Sequence, residues 1–373
     1  MSDRNASLVE LAAVSAAFPL HGKFVSGALY GSGHINDTFA VTFDQAGTTV
    51  RYILQRVNHR IFKNVPALMD NIQRVTAHTA RRTAAGEDGA RRALTLLPAR
   101  TGEPYHRDAA GAYWRCYLFI EKAATYDLVR DAHQASEAAA AVGQFQHLLV
   151  DLPGERLRET IPHFHDTPRR FATLRAAVER NPHGRAAAAA AEIEFALARE
   201  PIVGRLLALH AAGQMPERIT HNDTKFNNVM LDDATGRALC VIDLDTVMPG
   251  LALYDFGDMV RSATNSTAED DPEPRNVRMR MEIFEGLVSG YLSAAGAFLN
   301  PTERAHLAFS GRLITFEIGI RFLTDFLEGD VYFKTKHPRH NLDRCRNQFA
   351  LVRSIEEQEA AMQTVVDKMR PGR

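Results

Sequence analysis

A chain of 373 residues, 45% of them hydrophobic, can bury a sizeable core and suggests two or three compact units rather than one. Its 44 Lys plus Arg nearly cancel 45 Asp plus Glu, so no net field draws it toward nucleic acid or an anionic membrane, and a small molecule is the expected partner. Cys116, Cys240 and Cys345 lie far apart without a CxxC pair, which fits reduced thiols better than a disulfide framework or a zinc site.

Residues 1–20 mix Asp3, Arg4 and Glu10 with a short apolar stretch. They lack the basic start and unbroken apolar segment of a secretory signal. No later stretch is long and apolar enough to span a membrane, and the cytoplasm is the expected location. Residues 24–30 and 36–43 read as two strands around the turn Gly31-Ser32-Gly33, a turn of the kind that can cover phosphates. A third strand over 50–57 precedes a helix that opens near Pro66, and 113–121 read as a further strand ending at Lys122-Ala123-Ala124. From there the character changes. Residues 136–149 and the alanine run 185–199 have helical spacing, and 281–299 and 302–327 read as two more helices. The acidic, proline-containing stretch 267–276 reads as an exposed loop with solvated charges. The expected fold class is α+β, with a small antiparallel-sheet lobe over 1–122 and a mainly helical lobe over 123–373.

One island, residues 218–242, breaks the helical part. In His221-Asn222-Asp223-Thr224-Lys225-Phe226-Asn227-Asn228 an Asp is followed five residues later by an Asn, just before the apolar run Val229-Met230-Leu231. After the turn Asp232-Asp233-Ala234-Thr235-Gly236 comes Leu239-Cys240-Val241-Ile242-Asp243. A hairpin of this kind is expected to gather Asp223, Asn228 and Asp243 at one end of a short ladder. Phosphoryl transfer asks for such a set: a carboxylate at the accepting hydroxyl, hard oxygen ligands for magnesium, and a cover over the triphosphate.

At HNDTKFNN and VIDLD the chain resembles the aminoglycoside phosphotransferase family, whose signature is HGDxxxxN followed by a strand ending in IDWE or IDxD. Asn222 stands where the family has glycine. The resemblance runs from the glycine turn to the last helices and implies a protein-kinase-like, two-lobed fold. It also implies ATP and Mg2+, with Asp223 as catalytic base, Asn228 and Asp243 as metal ligands, and His221 bracing the loop. GSGHINDTF, LQRVNHRIFKN, HNDTKFNNVM, IDLDTVMPG, YDFGDMVR and IRFLTDFLEGDVYF are similar to the N-acetylhexosamine 1-kinases within that group. This likeness implies a sugar acceptor phosphorylated on its anomeric hydroxyl.

A kinase-like third strand ends in a lysine that holds the phosphates, but here it reads Tyr52-Ile53-Leu54-Gln55-Arg56. Alignment on the apolar pair puts Gln55 in that slot, whereas alternation from Leu54 points Arg56 inward, and both stay open. Asp70 is the expected paired acid on the following helix. Gly31, Ser32 and Gly33 are expected over the phosphates, and backbone groups around Ile120, Glu121 and Ala123 beside the adenine. Asp255-Phe256-Gly257 spells the magnesium motif of protein kinases, yet it follows VIDLD and a turn at Met248-Pro249-Gly250. Asp255 and Asp258 are therefore expected to cap a helix or hold the metal loop. Glu317, Arg321 and Asp325 share a helix face in a strongly apolar segment, and Arg321, Asp325 and Tyr332 are the expected sugar contacts along with Asp223. Kinases of an aminoglycoside, choline or a related amine, and a non-catalytic pseudokinase, are the competing readings. None of these motifs fixes an oligomeric state.

Overall fold

The computed structural model describes residues 6–31, 35–86 and 88–369. In chain order its regular elements are α1 (Leu8–Ala16), β1 (Lys23–Leu29), β2 (Asp37–Gln45), β3 (Thr48–Val57), α2 (Val65–Thr83), β4 (Leu96–Leu97), β5 (His106–Arg107), β6 (Tyr113–Leu118), β7 (Ala123–Ala124), α3 (Ala132–Leu148), α4 (Thr167–Arg180), α5 (Ala190–Leu197), α6 (Arg205–Ala211), β8 (Arg218–Thr220), β9 (Val229–Asp232), β10 (Ala238–Val241), β11 (Met248–Gly250), α7 (Ala252–Thr264), α8 (Met281–Ala295), α9 (Pro301–Ala305), α10 (Leu307–Leu327) and α11 (His340–Lys368). They fall into two compact units. The first comprises Met1–Ala123, Asp151–Pro162 and Leu239–Met248, and the second comprises Ala124–Val150, His163–Ala238 and Pro249–Arg373.

The first unit is built on an antiparallel sheet of order β1-β2-β3-β6-β4, with β5 also paired to β6. Alternation decides what each face carries. Phe39, Val41 and Phe43 of β2, Tyr52 and Leu54 of β3, and Trp114 and Cys116 of β6 form one core with Leu11 and Val14 of α1 and with Phe18. Each such side chain contributes roughly 1.5–3 kcal/mol on burial. The short apolar stretch near the N-terminus is thus the helix α1, whose N-cap Ser7 accepts the Glu10 N–H. In α2, Asn64 caps the first turn, and Leu68, Met69, Ile72 and Val75 are buried at helical spacing.

In the second unit α3 and α8 approach closely. A Cβ on Gly290 would lie 1.9 Å from the backbone oxygen of Ser136, which explains why α3 is rich in alanine: small side chains are what two backbones this close can hold between them. Another core joins α4, α5, α10 and α11 through Phe171, Leu174, Phe316, Ile320, Leu323 and Phe349.

Several boundaries differ from the sequence reading. The strand expected over 113–121 ends at Leu118, because Arg51 lies over the Phe119 ring and pairs with Glu121, and Lys122 has a φ of 55° that no strand continues through. The alanine run starts as a tight 3-10 turn, with Asn181 Oδ1 accepting the Ala186 N–H, and only then becomes α5. The helix expected over 302–327 is split at His306, whose Nδ1 meets the Thr302 carbonyl and closes α9. Met248-Pro249-Gly250 is extended rather than a turn. In the acidic loop, Glu269 pairs with Arg261, and Asp270 with Lys336 and His340, so these charges are matched rather than merely solvated. No helix among the described residues is long and apolar enough to cross a membrane.

Gly290→Ala is expected to force α3 and α8 apart and to destabilise the protein by about 1–3 kcal/mol. Urea unfolding of the two proteins side by side measures the difference.

Candidate functional site

The loop after β8 is built around a carboxylate. Asn222 has a φ of 65°, in the left-handed region that few side chains other than Gly, Asn and Asp adopt. Asp255, fully buried in the first turn of α7, accepts the backbone N–H of His221 at 2.9 Å, that of Asn222 at 2.7 Å, and Gln146 Nε2 at 2.7 Å. Burial pushes its carboxyl up, against His221, the two N–H groups and Gln146. Tyr291 donates to Gln146 Oε1, and Thr224 donates to the Asp255 backbone oxygen. His221 is buried with its ring against Phe145, and its Nδ1 accepts the Asp223 N–H at 3.3 Å, so it braces the loop.

Asp223 lies on this frame with Lys225 Nζ 2.9 Å from its carboxylate. Burial works against ionisation, but the Lys225 charge and hydrogen bond hold the Asp223 pKa below the usual carboxylate range, and Asp223 raises that of Lys225 in return. Asn228 donates Nδ2 to the Asp223 backbone oxygen at 2.7 Å and approaches its Oδ2 at 3.4 Å. That leaves Asn228 Oδ1 as a hard oxygen donor.

The motif Asp255-Phe256-Gly257 is accounted for residue by residue. Asp255 holds the loop at His221 and Asn222. It caps no helix, since the N-cap of α7 is Leu251. Phe256 packs on Phe284 and Tyr291, and a Cβ on Gly257 would lie 2.5 Å from the Ser310 backbone oxygen of α10. Asp258 pairs with Arg261 at 2.7 Å.

Behind the same loop, buried His165 places Nδ1 2.8 Å from Glu317 Oε1 and Nε2 3.1 Å from the Asn222 carbonyl, while Thr167 donates to Glu317 Oε2 at 2.6 Å. Both ring nitrogens face acceptors, which only the doubly protonated imidazolium satisfies at once. Burial opposes that charge, but Glu317 raises the His165 pKa, and burial of Glu317 is likewise outweighed by His165, which lowers its pKa. One turn along α10, Arg321 lies 5.4 Å from the ring centre of Phe164, 5.8 Å from Tyr332 and 5.6 Å from Phe333. Arg170 donates Nη2 to the Phe164 carbonyl at 3.2 Å, and burial and the Arg321 charge lower its pKa. Asp325 accepts from the backbone of Val331, Tyr332 and Phe333 and from Asn341. Both its oxygens are engaged in anchoring the segment that carries Tyr332. The structure thus gathers Arg321 and Tyr332 and makes Asp325 their support.

In the first unit, Gly31 has a φ of 76°, and Ser32 and Gly33 lie outside the described residues. Arg56 faces the α1 side, paired with Asp37 and Glu10. Gln55 faces the opposite side and bonds Thr38 and Arg115. Asp70 is not the inward acid: its side chain is 53% exposed and lies 3.9 Å from Arg74 on the same helix, whereas the next residue, Asn71, is buried and donates to the Val247 carbonyl. Ile120 is buried, the Glu121 side chain pairs with Arg51, and Ala123 opens β7. Asp243 sits at φ 60° at the head of a 3-10 turn, Leu244–Thr246. Sequence reading missed Lys225, His165, Arg170 and Arg115. For Lys225 the signal was present in its spacing two residues after Asp223. His165 and Arg115 are paired across long sequence separations, and Arg170 is tied to the Phe164 carbonyl six residues before it.

The pattern of the phosphotransferase enzyme family (APH) matches residues 26–295, well over half of the chain. The chain belongs to this family. Solved structures share the fold. An aminoglycoside phosphotransferase from Alicyclobacillus acidocaldarius superposes with a TM-score of 0.58 at 12% identity, over 98% of this chain and 98% of that one. A choline kinase from Cryptosporidium parvum gives 0.57 at 14% identity, over 96% and 98%. A spectinomycin phosphotransferase, solved with ADP and spectinomycin, gives 0.51 at 12% identity, over 98% and 99%. The fold is therefore the protein-kinase-like α+β fold of the phosphotransferases, with an antiparallel-sheet unit and a mainly helical one.

In this phosphotransferase the residue in the motif's glycine slot has a positive φ, and asparagine is the side chain that tolerates it best. Asn222→Gly is expected to stay within about 1 kcal/mol of the parent, and Asn222→Val to lose about 1–3 kcal/mol, both measured by chemical denaturation. Glu317→Gln removes the partner of a buried cation and is expected to cost about 3 kcal/mol near pH 6. The raised pKa of His165 sets the sign: its contribution is complete below about 6.5 and is lost as pH rises through the folded value. The gap between parent and variant should therefore narrow as pH rises above about 6.5.

Proposed function

We propose that this phosphotransferase is an ATP- and magnesium-dependent kinase that transfers the γ-phosphoryl group to the anomeric hydroxyl of an N-acetylhexosamine. The observation that carries the kinase reading is the Asp223 group: an ionised carboxylate beside Lys225, with Asn228 tied to its backbone. In this reading the acceptor hydroxyl donates to Asp223, its oxygen attacks the γ-phosphorus in line, the bond to the β–γ bridging oxygen breaks, and the proton passes to the carboxylate. The products are the sugar 1-phosphate and ADP. Asn228 and Asp243 supply the hard oxygen ligands, a small set of the kind magnesium accepts alongside phosphate oxygens and water. Magnesium, when bound, neutralises charge on the phosphates. Ile120, Glu121 and Ala123 stay with the nucleotide in this proposal, while Gln55, Arg56 and Asp70 leave it for the pairs described above.

The acceptor face supports a neutral, oxygen-rich substrate. Arg321 lies beside Phe164, Tyr332 and Phe333, and Arg170 donates to the Phe164 carbonyl. Guanidiniums donate to hydroxyl and acetamido oxygens, and the rings offer an apolar face to a sugar. A cationic acceptor such as choline or an aminoglycoside would meet like charge there. The acidic loop that could receive one has Glu269 and Asp270 already ion-paired.

ATP turnover with magnesium should appear with N-acetylglucosamine or N-acetylgalactosamine and not with choline or an aminoglycoside. Asp223→Asn should lower kcat by about a thousandfold while ADP binding persists. Turnover confined to the amine acceptors would sink the sugar assignment, and an active Asp223→Asn would sink the base.

A further inference from the structure

The buried cation of the first unit has no part in the mechanism above. Trp114 and Cys116 point into the α1 core, so alternation turns Arg115 to the other face of the sheet, where it is only 1% exposed. A guanidinium cannot be buried there unmatched. Its Nη1 pairs with Asp245, itself buried, and its Nε donates to Gln55 Oε1 at 2.8 Å. Gln55 Nε2 in turn donates to Thr38 at 2.9 Å. The other oxygen of Asp245 accepts from Asn36 Nδ2, and Asn36 Oδ1 accepts the Asn58 N–H at 2.9 Å. Three strands and a strand end thus converge on one carboxylate, two residues beyond Asp243.

The rest of that turn is held from the same unit. Thr160 donates to the Asp245 carbonyl at 2.8 Å, and Asn71 of α2 donates to the Val247 carbonyl at 3.1 Å. Asp243 itself is at φ 60°, ψ 58°, in the left-handed region that aspartate is one of the few side chains to adopt. Burial opposes the Arg115 charge, but Asp245 and Asp243 both hold it in place. Gln55 is then not a lost phosphate ligand. Both ends of its amide are used, and a lysine in its place would press a second cation against Arg115.

We propose that Arg115 is a positioning residue that fixes the Asp243 turn through Asp245, with Gln55 orienting the guanidinium, and so sets how strongly magnesium assists nucleotide binding. The inference rests on the reading of Asp243 as a magnesium ligand.

The test uses the full chain and three variants: Arg115→Met, Arg115→Lys and Gln55→Met. Hydrogen exchange of amides 243–247 is followed without nucleotide, and ADP affinity is measured by calorimetry with and without magnesium. Arg115→Met should quicken that exchange and cut the magnesium-dependent gain in ADP affinity by about tenfold or more, with magnesium-free ADP affinity unchanged. Arg115→Lys, which keeps the charge but not the fork, should recover part of both, and Gln55→Met should fall between. Should Arg115→Met fail to fold by circular dichroism, the other two variants carry the comparison. Unchanged exchange and unchanged magnesium gain would overturn the inference, as would a loss of magnesium-free ADP affinity in Gln55→Met, which would make Gln55 a direct ligand. A parent protein that binds ADP with no magnesium gain would instead overturn the metal reading of Asp243, and the inference with it.

Discussion

The buried carboxylate of Asp255 is the constraint on which the loop of Asp223 depends. A carboxylate out of water is costly unless every lone pair is matched, and here the matching donors are the backbone N–H groups of His221 and Asn222 together with Gln146. The loop therefore cannot relax from its left-handed residue without stranding that charge. Asp223, Thr224 and Asn228 inherit their places from this frame, and His165 closes it from behind by donating to the Asn222 carbonyl. The place of Asp223 is set by neighbours that hold its loop, and in the proposed mechanism that is how the site is kept ready before substrate arrives.

The parts legible in the sequence were those written locally. Alternation in Phe39-Ala40-Val41-Thr42-Phe43 marked a strand with one buried face, and Asp223 to Asn228 marked the loop by its spacing. What could not be read was the partner of each polar residue. Arg115 and Asp245 are 130 positions apart, and His165 and Glu317 are 152 apart. No period or spacing links such pairs. The same limit applies to Asp70 and Asn71, where the helix was foreseen but its rotation, which decides the inward residue, was not. In Asp255-Phe256-Gly257 the local text even misleads, because three packing and bracing tasks happen to spell a familiar metal motif.

The two aspartate-bearing loops are held by different physics. In the second unit a carboxylate accepts N–H donors, so dipoles fixed in the backbone offset part of the cost of its burial. In the first unit Asp245 is matched by a full charge on Arg115, and the pair is worth little net stability but strongly penalises any arrangement that separates it. A dipole-bound anion fixes a backbone path. An ion pair fixes a turn against a strand distant in sequence. Each suits its place, since the Asp223 loop is held through its backbone amides while the Asp243 turn is tied by a side chain to a sheet far from it in sequence.

The same bookkeeping of charge narrows what the proposed acceptor face can hold. His165 is a cation matched by Glu317, and Glu317 is also engaged by Thr167, so neither has charge left to offer. Asp166 caps α4 through the Arg169 N–H and pairs with His163. Beside Phe164, Tyr332 and Phe333 stands the positive charge of Arg321, with Arg170 at the Phe164 carbonyl and within reach of the Asp166 and Glu317 charges. A ligand that settles there gains by presenting oxygen lone pairs and loses by presenting an ammonium. Discrimination against amines would then come from like-charge repulsion and not from size, and a repulsive element of this kind separates ligands that share shape and hydroxyl count.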